Sequence, residues 1–281
     1  MIYVSTGGFR DFTFLEAINI LSHAGITAFE LSGGRFLDNI NKPLKACSKK
    51  YNIALHNYFP IPKKPFVLNL ASFREDIFTA SSAHIANAID LSSQIGAKFY
   101  SFHAGYLIDP SVHELGQKIT RQVLNDREKA LEIFIKRANV LAAYAEQKGI
   151  RLLVENNVLS GSNYESFGEN PLLMVDTLET EKIISQSHSN LGLLVDVAHL
   201  KVSANTLSFS AEEYLGQFCN NIGGYHLSDN LGLEDNNDEI TPYSWFWPHL
   251  RKNAEYVSIE VYNKTPDFLK SQVALAKEMF G

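Results

Sequence analysis

The residues best suited to chemistry are imidazoles and carboxylates that recur at the ends of short apolar runs. Leu191-Gly192-Leu193-Leu194-Val195 runs into Asp196, and His199 follows three residues later. Leu152-Leu153-Val154 ends in Glu155, and Val257-Ser258-Ile259 ends in Glu260. His56 closes the run from Ile53, His103 the run from Phe99, and His226-x-x-Asp229 the run from Ile222. Imidazole and carboxylate donors together suit divalent transition metals such as Zn²⁺ or Mn²⁺. Without a cation, so many ionisable groups gathered in one place would repel and desolvate one another.

The elements that must position these groups follow from the pattern. A short, continuous apolar run reads as a strand buried on both faces, as in a parallel sheet. The strands expected are Ile2–Ser5, Ala28–Leu31, Ile53–His56, Phe99–His103, Leu152–Glu155, Leu191–Asp196, Ile222–Leu227 and Val257–Glu260. Helical sequence lies between them. Thr13 with Glu16 makes a capping box for a helix to about His23, and Ser210 with Glu213 makes another for a helix to Phe218. Further helices are expected at about 44–50, 82–94, 127–148, 172–178, 181–187 and 243–252. A last one opens at Thr265-Pro266 and runs to about Met279. The stretches 60–65, 156–170 and 228–239 read as loops. Eight strands alternating with helices over 281 residues give an α/β, single-domain (β/α)₈ TIM barrel spanning 1–281. A doubly wound open sheet is the alternative, but no GxGxxG turn follows the first strand. In a barrel the carboxyl ends of all strands converge on one rim, so residues scattered in sequence become neighbours there.

Composition narrows the function classes. The net charge of −6 disfavours nucleic acid as a partner. Cys47 and Cys219 lie far apart and outside any CxxC, as expected of free thiols in a reducing compartment. No apolar run approaches the roughly 20 residues of a membrane span, and no basic apolar leader opens the chain, so a cytoplasmic location is expected. Homo-oligomerisation is left open.

Each candidate also has a plainer reading. A lone histidine is usually solvated or hydrogen-bonded, which is the reading for His23, His84, His113, His188 and His249. Glu155, Asp196 and Glu260 resist it, because their strands would bury them and buried carboxylates need partners. Asn156 and Asn157 suit either a hydroxylated substrate or a turn. Lys63, Lys64, Arg10 and Arg35 suit a phosphate or a solvated surface. Trp245, Phe246 and Trp247 suit a pocket wall or the core. The acidic loop from Glu234 to Glu239 reads as solvated, with Asp235, Asp238 or Glu239 within reach of a metal.

Glu-Asn at the fifth strand, Asp-x-x-His at the sixth, His-x-x-Asp at the seventh and Glu ending the eighth resemble the xylose-isomerase-like barrels. These include sugar and sugar-phosphate isomerases and epimerases and the endonuclease IV enzymes. The resemblance to the epimerase branch implies one divalent ion (Mn²⁺, Zn²⁺, Mg²⁺ or Co²⁺) held by Glu155, Asp196, His226 and Glu260. It implies that Glu155 and Glu260 also move the proton, and that His199 binds substrate; Asn157, Asp229 and Lys64 are expected from residue type as further substrate contacts. That branch often carries an Arg after its His-x-x-Asp, and the segment from Ser228 to Glu239 has none. The resemblance to endonuclease IV implies a second ion on His56 and His103, with Asn69-Leu70-Ala71-Ser72 also similar. That family has an Asp-x-His pair after the seventh strand, and no histidine occurs there in this chain.

The expected activity is metal-dependent isomerisation or epimerisation of a small sugar through proton transfer and an enediolate. A metal-dependent phosphodiesterase and a non-catalytic binding barrel are the alternatives.

Overall fold

The computed structural model describes residues 1–114 and 118–281. Eight parallel strands close into a barrel in sequence order. They are β1 (Ile2–Ser5), β2 (Ala28–Leu31), β3 (Asn52–His56), β4 (Phe99–His103), β5 (Arg151–Glu155), β6 (Leu191–Asp196), β7 (Ile222–Leu227) and β8 (Tyr256–Ile259). Around them lie α1 (Phe14–His23), α2 (Asn41–Ser48), α3 (Glu75–Gln94), α4 (Arg127–Gln147), α5 (Gly161–Phe167), α6 (Thr177–Ser185), α7 (Val197–Leu207), α8 (Ala211–Gln217) and α9 (Pro266–Phe280). The expected barrel is therefore the observed one. No helix among the described residues is long and apolar enough to cross a membrane.

The period of two along a strand divides the barrel into layers. Outward residues such as Phe29, Leu55, Phe102, Val154, Val195 and Ile259 pack against the helices in the main core. Inward residues form two tiers. The lower tier is an apolar plug of Ala54, Phe99, Leu153, Leu194 and Tyr256, with Tyr3 against it. Two residues further along the same strands stand His56, Ser101, Glu155, Asp196 and Ser258. Alternation alone thus lifts an ionisable tier onto a dry floor.

Several helices differ from expectation. The capping box of Thr13 and Glu16 forms with both of its hydrogen bonds. At Ser210 the hydroxyl accepts from the Glu213 amide and donates to Glu212, and only this half of the capping box forms among the described residues. Helix α3 begins at Glu75, well before 82. Residues 172–176 form no helix, because Leu172 bridges Tyr106 and the helix opens only at the Asp176 cap. Residues 156–170 were expected as loop but contain α5, capped by Ser160 and closed by Gly168 in the left-handed conformation. Helix α7 was missed because Asp196 both ends β6 and caps α7, leaving no polar spacer between them. Of 243–252 only a 3₁₀ turn, Trp247–His249, is helical. Phe246 and Trp247 are buried there, so this aromatic run belongs to the core.

Glycine is needed where β7 meets β8. A Cβ on Gly224 would lie 2.6 Å from the Tyr256 carbonyl oxygen, a backbone atom that cannot step aside. Gly224→Ala is therefore expected to destabilise the barrel by about 1–3 kcal/mol, read as a lower midpoint in urea at an unchanged slope. An unchanged midpoint would show that the two strands are not so closely apposed.

Candidate metal centre

Four strand ends deliver Glu155, Asp196, His226 and Glu260 to one place, where their donor atoms all lie within 4.8 Å of one another. All four are buried. His226 Nδ1 is central, 3.1 Å from Glu155 Oε1, 3.3 Å from Glu260 Oε2 and 4.0 Å from Asp196 Oδ2. A second group is His56, His103 and Glu155, and a third is Glu30, His56 and His226. His56 Nε2 and His103 Nε2 stand 3.3 and 3.5 Å from Glu155 Oε2. Glu155 therefore offers one oxygen to each of the first two groups.

The donor atoms are left available in a way that suits a cation. Asp196 Oδ1 is occupied, accepting from the amides of Ala198 and His199 at 2.8 Å each as the cap of α7. Its Oδ2 is buried and takes no hydrogen bond among the described residues. Glu155 Oε2 is likewise buried without one. Such orphaned carboxylate oxygens cost free energy unless an ion compensates them. The set of three carboxylates and an imidazole suits Mn²⁺ or Zn²⁺, and His56 with His103 adds nitrogen donors to the neighbouring group.

Polar neighbours fix the donors. Ser101 Oγ shares a 2.9 Å hydrogen bond with His56 Nδ1, turning Nε2 toward Glu155. Ser5 donates to Glu260 Oε1 at 2.9 Å, and the Tyr262 hydroxyl donates to the same oxygen at 3.2 Å. Asn156 bonds both backbone polar groups of Asp196, tying β5 to β6, while its carbonyl accepts from His199 Nδ1 at 3.0 Å. That leaves His199 Nε2 facing Asp235 Oδ2 at 3.2 Å. Lys201 and Asn205 on α7 hold Asp229 and the Gly232 carbonyl, so this helix places the loop that delivers Asp235.

Above the donors opens a cavity of about 610 Å³. His56, His103, His199, Glu260, Tyr262 and Asp235 line it, together with Asn157. The substrate contacts expected from sequence are placed unevenly. His199 faces the cavity, but the Asn157 amide is spent on the carbonyls of Ala104, Gly105 and Leu173, clamping three loops. Asp229 is paired with Lys201 at 2.8 Å, and Lys64 is an exposed loop residue; neither lines the cavity. Arg35 is likewise engaged, on Glu16. His23, His84 and His188 are hydrogen-bonded to the backbone, as expected of plain histidines.

The sequence reading missed Glu30. It is fully buried on the inward face of β2, with Oε2 2.8 Å from His226 Nε2 and accepting from the Tyr256 hydroxyl. Its signal was a glutamate inside the apolar strand Ala28-Phe29-Glu30-Leu31. Alternation from Ala28 points it inward.

Burial and mutual charge set the protonation states. Burial pushes the His103 ring down to about 4, so it is neutral at pH 7 with a lone pair to offer. Burial also favours neutral His226, but Glu260, Glu30 and Glu155 outweigh it and raise the ring well above its ordinary value. Burial works against ionised Glu260 too, yet the His226 charge holds this carboxyl down at about 2. Asp196 goes the other way. Burial raises it to about 7, against the pull of His199 and with the help of Asp235.

The family model of the xylose isomerase-like TIM barrels matches residues 18–278, and the chain belongs to that family. Among solved structures, a D-tagatose 3-epimerase-like protein superposes with a TM-score of 0.71 at 17% identity, over 100% of this chain and 99% of that one. The apo form of 3-keto-D-glucoside 4-epimerase, YcjR, from E. coli gives 0.69 at 14% identity, over 99% of this chain and 98% of that one. Uncharacterized protein MJ1614 of Methanocaldococcus jannaschii is 25% identical over 217 residues, 75% of this chain and 73% of that protein. The two superpositions, at these identities, establish the shared fold.

A proton on Asp196 competes with a cation for Oδ2. Affinity for Zn²⁺ or Mn²⁺ is therefore expected to fall about tenfold or more for each pH unit below 7, and to fall less steeply above it. Calorimetric titrations between pH 5.5 and 8 check this. An affinity independent of pH across that range would contradict the assignment of Asp196 as a donor.

Proposed function

We propose that the protein is a metal-dependent isomerase or epimerase of a small sugar or sugar derivative. The observation that carries this reading is the convergence of Glu155, Asp196, His226 and Glu260 beneath a polar cavity in a barrel of this family. Both solved structures described above are named for sugar epimerases, which favours the same class.

The residues divide the work as follows. A divalent cation on Glu155, Asp196, His226 and Glu260 would supply Lewis-acid stabilisation of the charge that develops as a proton leaves the carbon beside a carbonyl. Glu260 borders the cavity and, ionised, is the base that takes this proton. Ser5 and Tyr262 fix its Oε1, while its Oε2 lies among the other donors. Glu155, the second carboxyl of the pair, delivers to the carbon a proton it has taken up from solvent, while the proton on Glu260 leaves to solvent through the cavity. Return at the same carbon from the opposite face gives an epimer; return at the neighbouring carbon gives an isomer. His199, held by the Asn156 carbonyl, presents Nε2 to a substrate hydroxyl, with Asp235 as its partner.

The second group, His56, His103 and Glu155, favours one other reading. Two cations sharing Glu155 would suit hydrolysis of a phosphodiester, with one ion activating water and the other clamping the phosphate. Two or more metal equivalents per chain and cleavage of an abasic-site duplex would support it. The net charge of −6 disfavours a polyanion, while at the cavity Glu114 and Glu234 stand with Arg10 and Lys118.

Glu155→Gln and Glu260→Gln, each shown to be folded by circular dichroism, are expected to lower turnover by about 10²–10⁴-fold. The assay is a panel of ketoses in D₂O with Mn²⁺ present, followed by NMR for deuterium entering the carbon skeleton. Full turnover in either variant would remove that carboxyl from the proton path.

A further inference from the structure

Glu30 lies in the ionisable tier but on the far side of His226 from the donors Glu155, Asp196 and Glu260. Its Oε2 meets Nε2 of the ring at 2.8 Å, whereas Nδ1 meets Glu155 and Glu260. We infer that Glu30 is a positioning residue that keeps the His226 proton on Nε2 and so keeps the Nδ1 lone pair open to a cation. This inference rests on the proposal that His226 is a metal donor.

A cation on Nδ1 leaves the His226 ring one proton, and that proton needs an acceptor at Nε2. A neutral imidazole carries one N–H, and its place is decided by the stronger acceptor. The surroundings of Nδ1 are carboxylate oxygens, which accept and cannot donate. With no acceptor at Nε2, a proton held on Nδ1 by these oxygens would compete with the cation for that nitrogen. Glu30 supplies the counterweight at Nε2. Its own orientation is set by the Tyr256 hydroxyl, which donates to the same oxygen. Both partners are buried, so water does not substitute for either. A carboxylate behind a ligating imidazole also raises the basicity of the nitrogen that binds.

Tyr256 is part of the device and also of the apolar plug, where it packs with Phe99 and Leu153. The floor of the barrel and the orientation of a donor are thus joined through Tyr256 and Glu30.

The test uses the full chain and Zn²⁺ as the probe. Calorimetry gives the affinity of the wild type, Glu30→Gln and Tyr256→Phe, and ¹⁵N NMR of histidine-labelled, zinc-loaded protein gives the tautomer of His226. Wild type is expected to bind zinc with the His226 proton on Nε2. Glu30→Gln is expected to bind about 10–100-fold more weakly, with its circular dichroism unchanged. Tyr256→Phe keeps the carboxylate but frees it to turn, and is expected to weaken binding by less. Should Glu30→Gln not fold, Tyr256→Phe carries the comparison on affinity and tautomer alike. Zinc affinity and tautomer unchanged in the folded variants would overturn the role of Glu30 while leaving the metal centre standing. A wild type that takes up no zinc would overturn the centre itself, and this inference with it.

Discussion

The constraint on which the rest depends is the burial of Glu155. Its carboxylate is fully buried, with the rings of His56, His103 and His226 against its oxygens and His199 3.7 Å away. Glu30 and Asp196 are buried within the same tier, and Glu260 is buried just above it. Removing so many charges from water costs several kcal/mol for each ion unless opposite charge accompanies it. Protonated His226 and His199 supply part of that charge. A cation would supply more, and would meet the oxygens of Asp196 and Glu155 that no hydrogen bond reaches. A barrel that served only stability would fill this tier with apolar side chains, as the tier below it does.

The same logic explains the many asparagines around the rim. Asn69 accepts from the amides of Ala71 and Tyr106 and donates to the carbonyls of Tyr106 and Ile108 and to Asp109, joining the loops that follow β3 and β4. Asn156 locks Asp196, and Asn157 locks the chain around Gly105. An amide offers both donors and acceptors, so it satisfies several loop groups without adding charge to an already crowded mouth. Loops held in this way fix donor positions that the strands alone would leave loose.

Most of the barrel was legible because strands buried on both faces read as short apolar runs, and an ionisable residue closing such a run stands out. Glu155, Asp196 and Glu260 stand out by that rule, and His226, one residue short of its strand's end, by its spacing to Asp229; the donor atoms of the four converge. Glu30 escaped it because Leu31, not Glu30, closes its strand; a count by alternation from Ala28 finds it. Helix α7 escaped because Val197-Ala198-His199-Leu200 continues the apolar run, and Asp196 serves both elements. Asn157, Asp229 and Lys64 were read as substrate contacts from residue type alone. Type does not say what a side chain is already bonded to: Asn157 and Asp229 hold backbone and Lys201, and Lys64 points to solvent on its loop. Asp235 needed three dimensions, since only the grip of α7 on its loop brings it to His199.

Fold, family and donor geometry thus agree, and the proposed chemistry follows from what the donors would hold. The most direct measurement is anomalous diffraction from crystals grown with Mn²⁺ or Zn²⁺. The account predicts a peak about 2.0–2.2 Å from carboxylate oxygens of Glu155, Asp196 and Glu260 and from Nδ1 of His226. Crystals saturated with either metal that show no peak among these four side chains would contradict it.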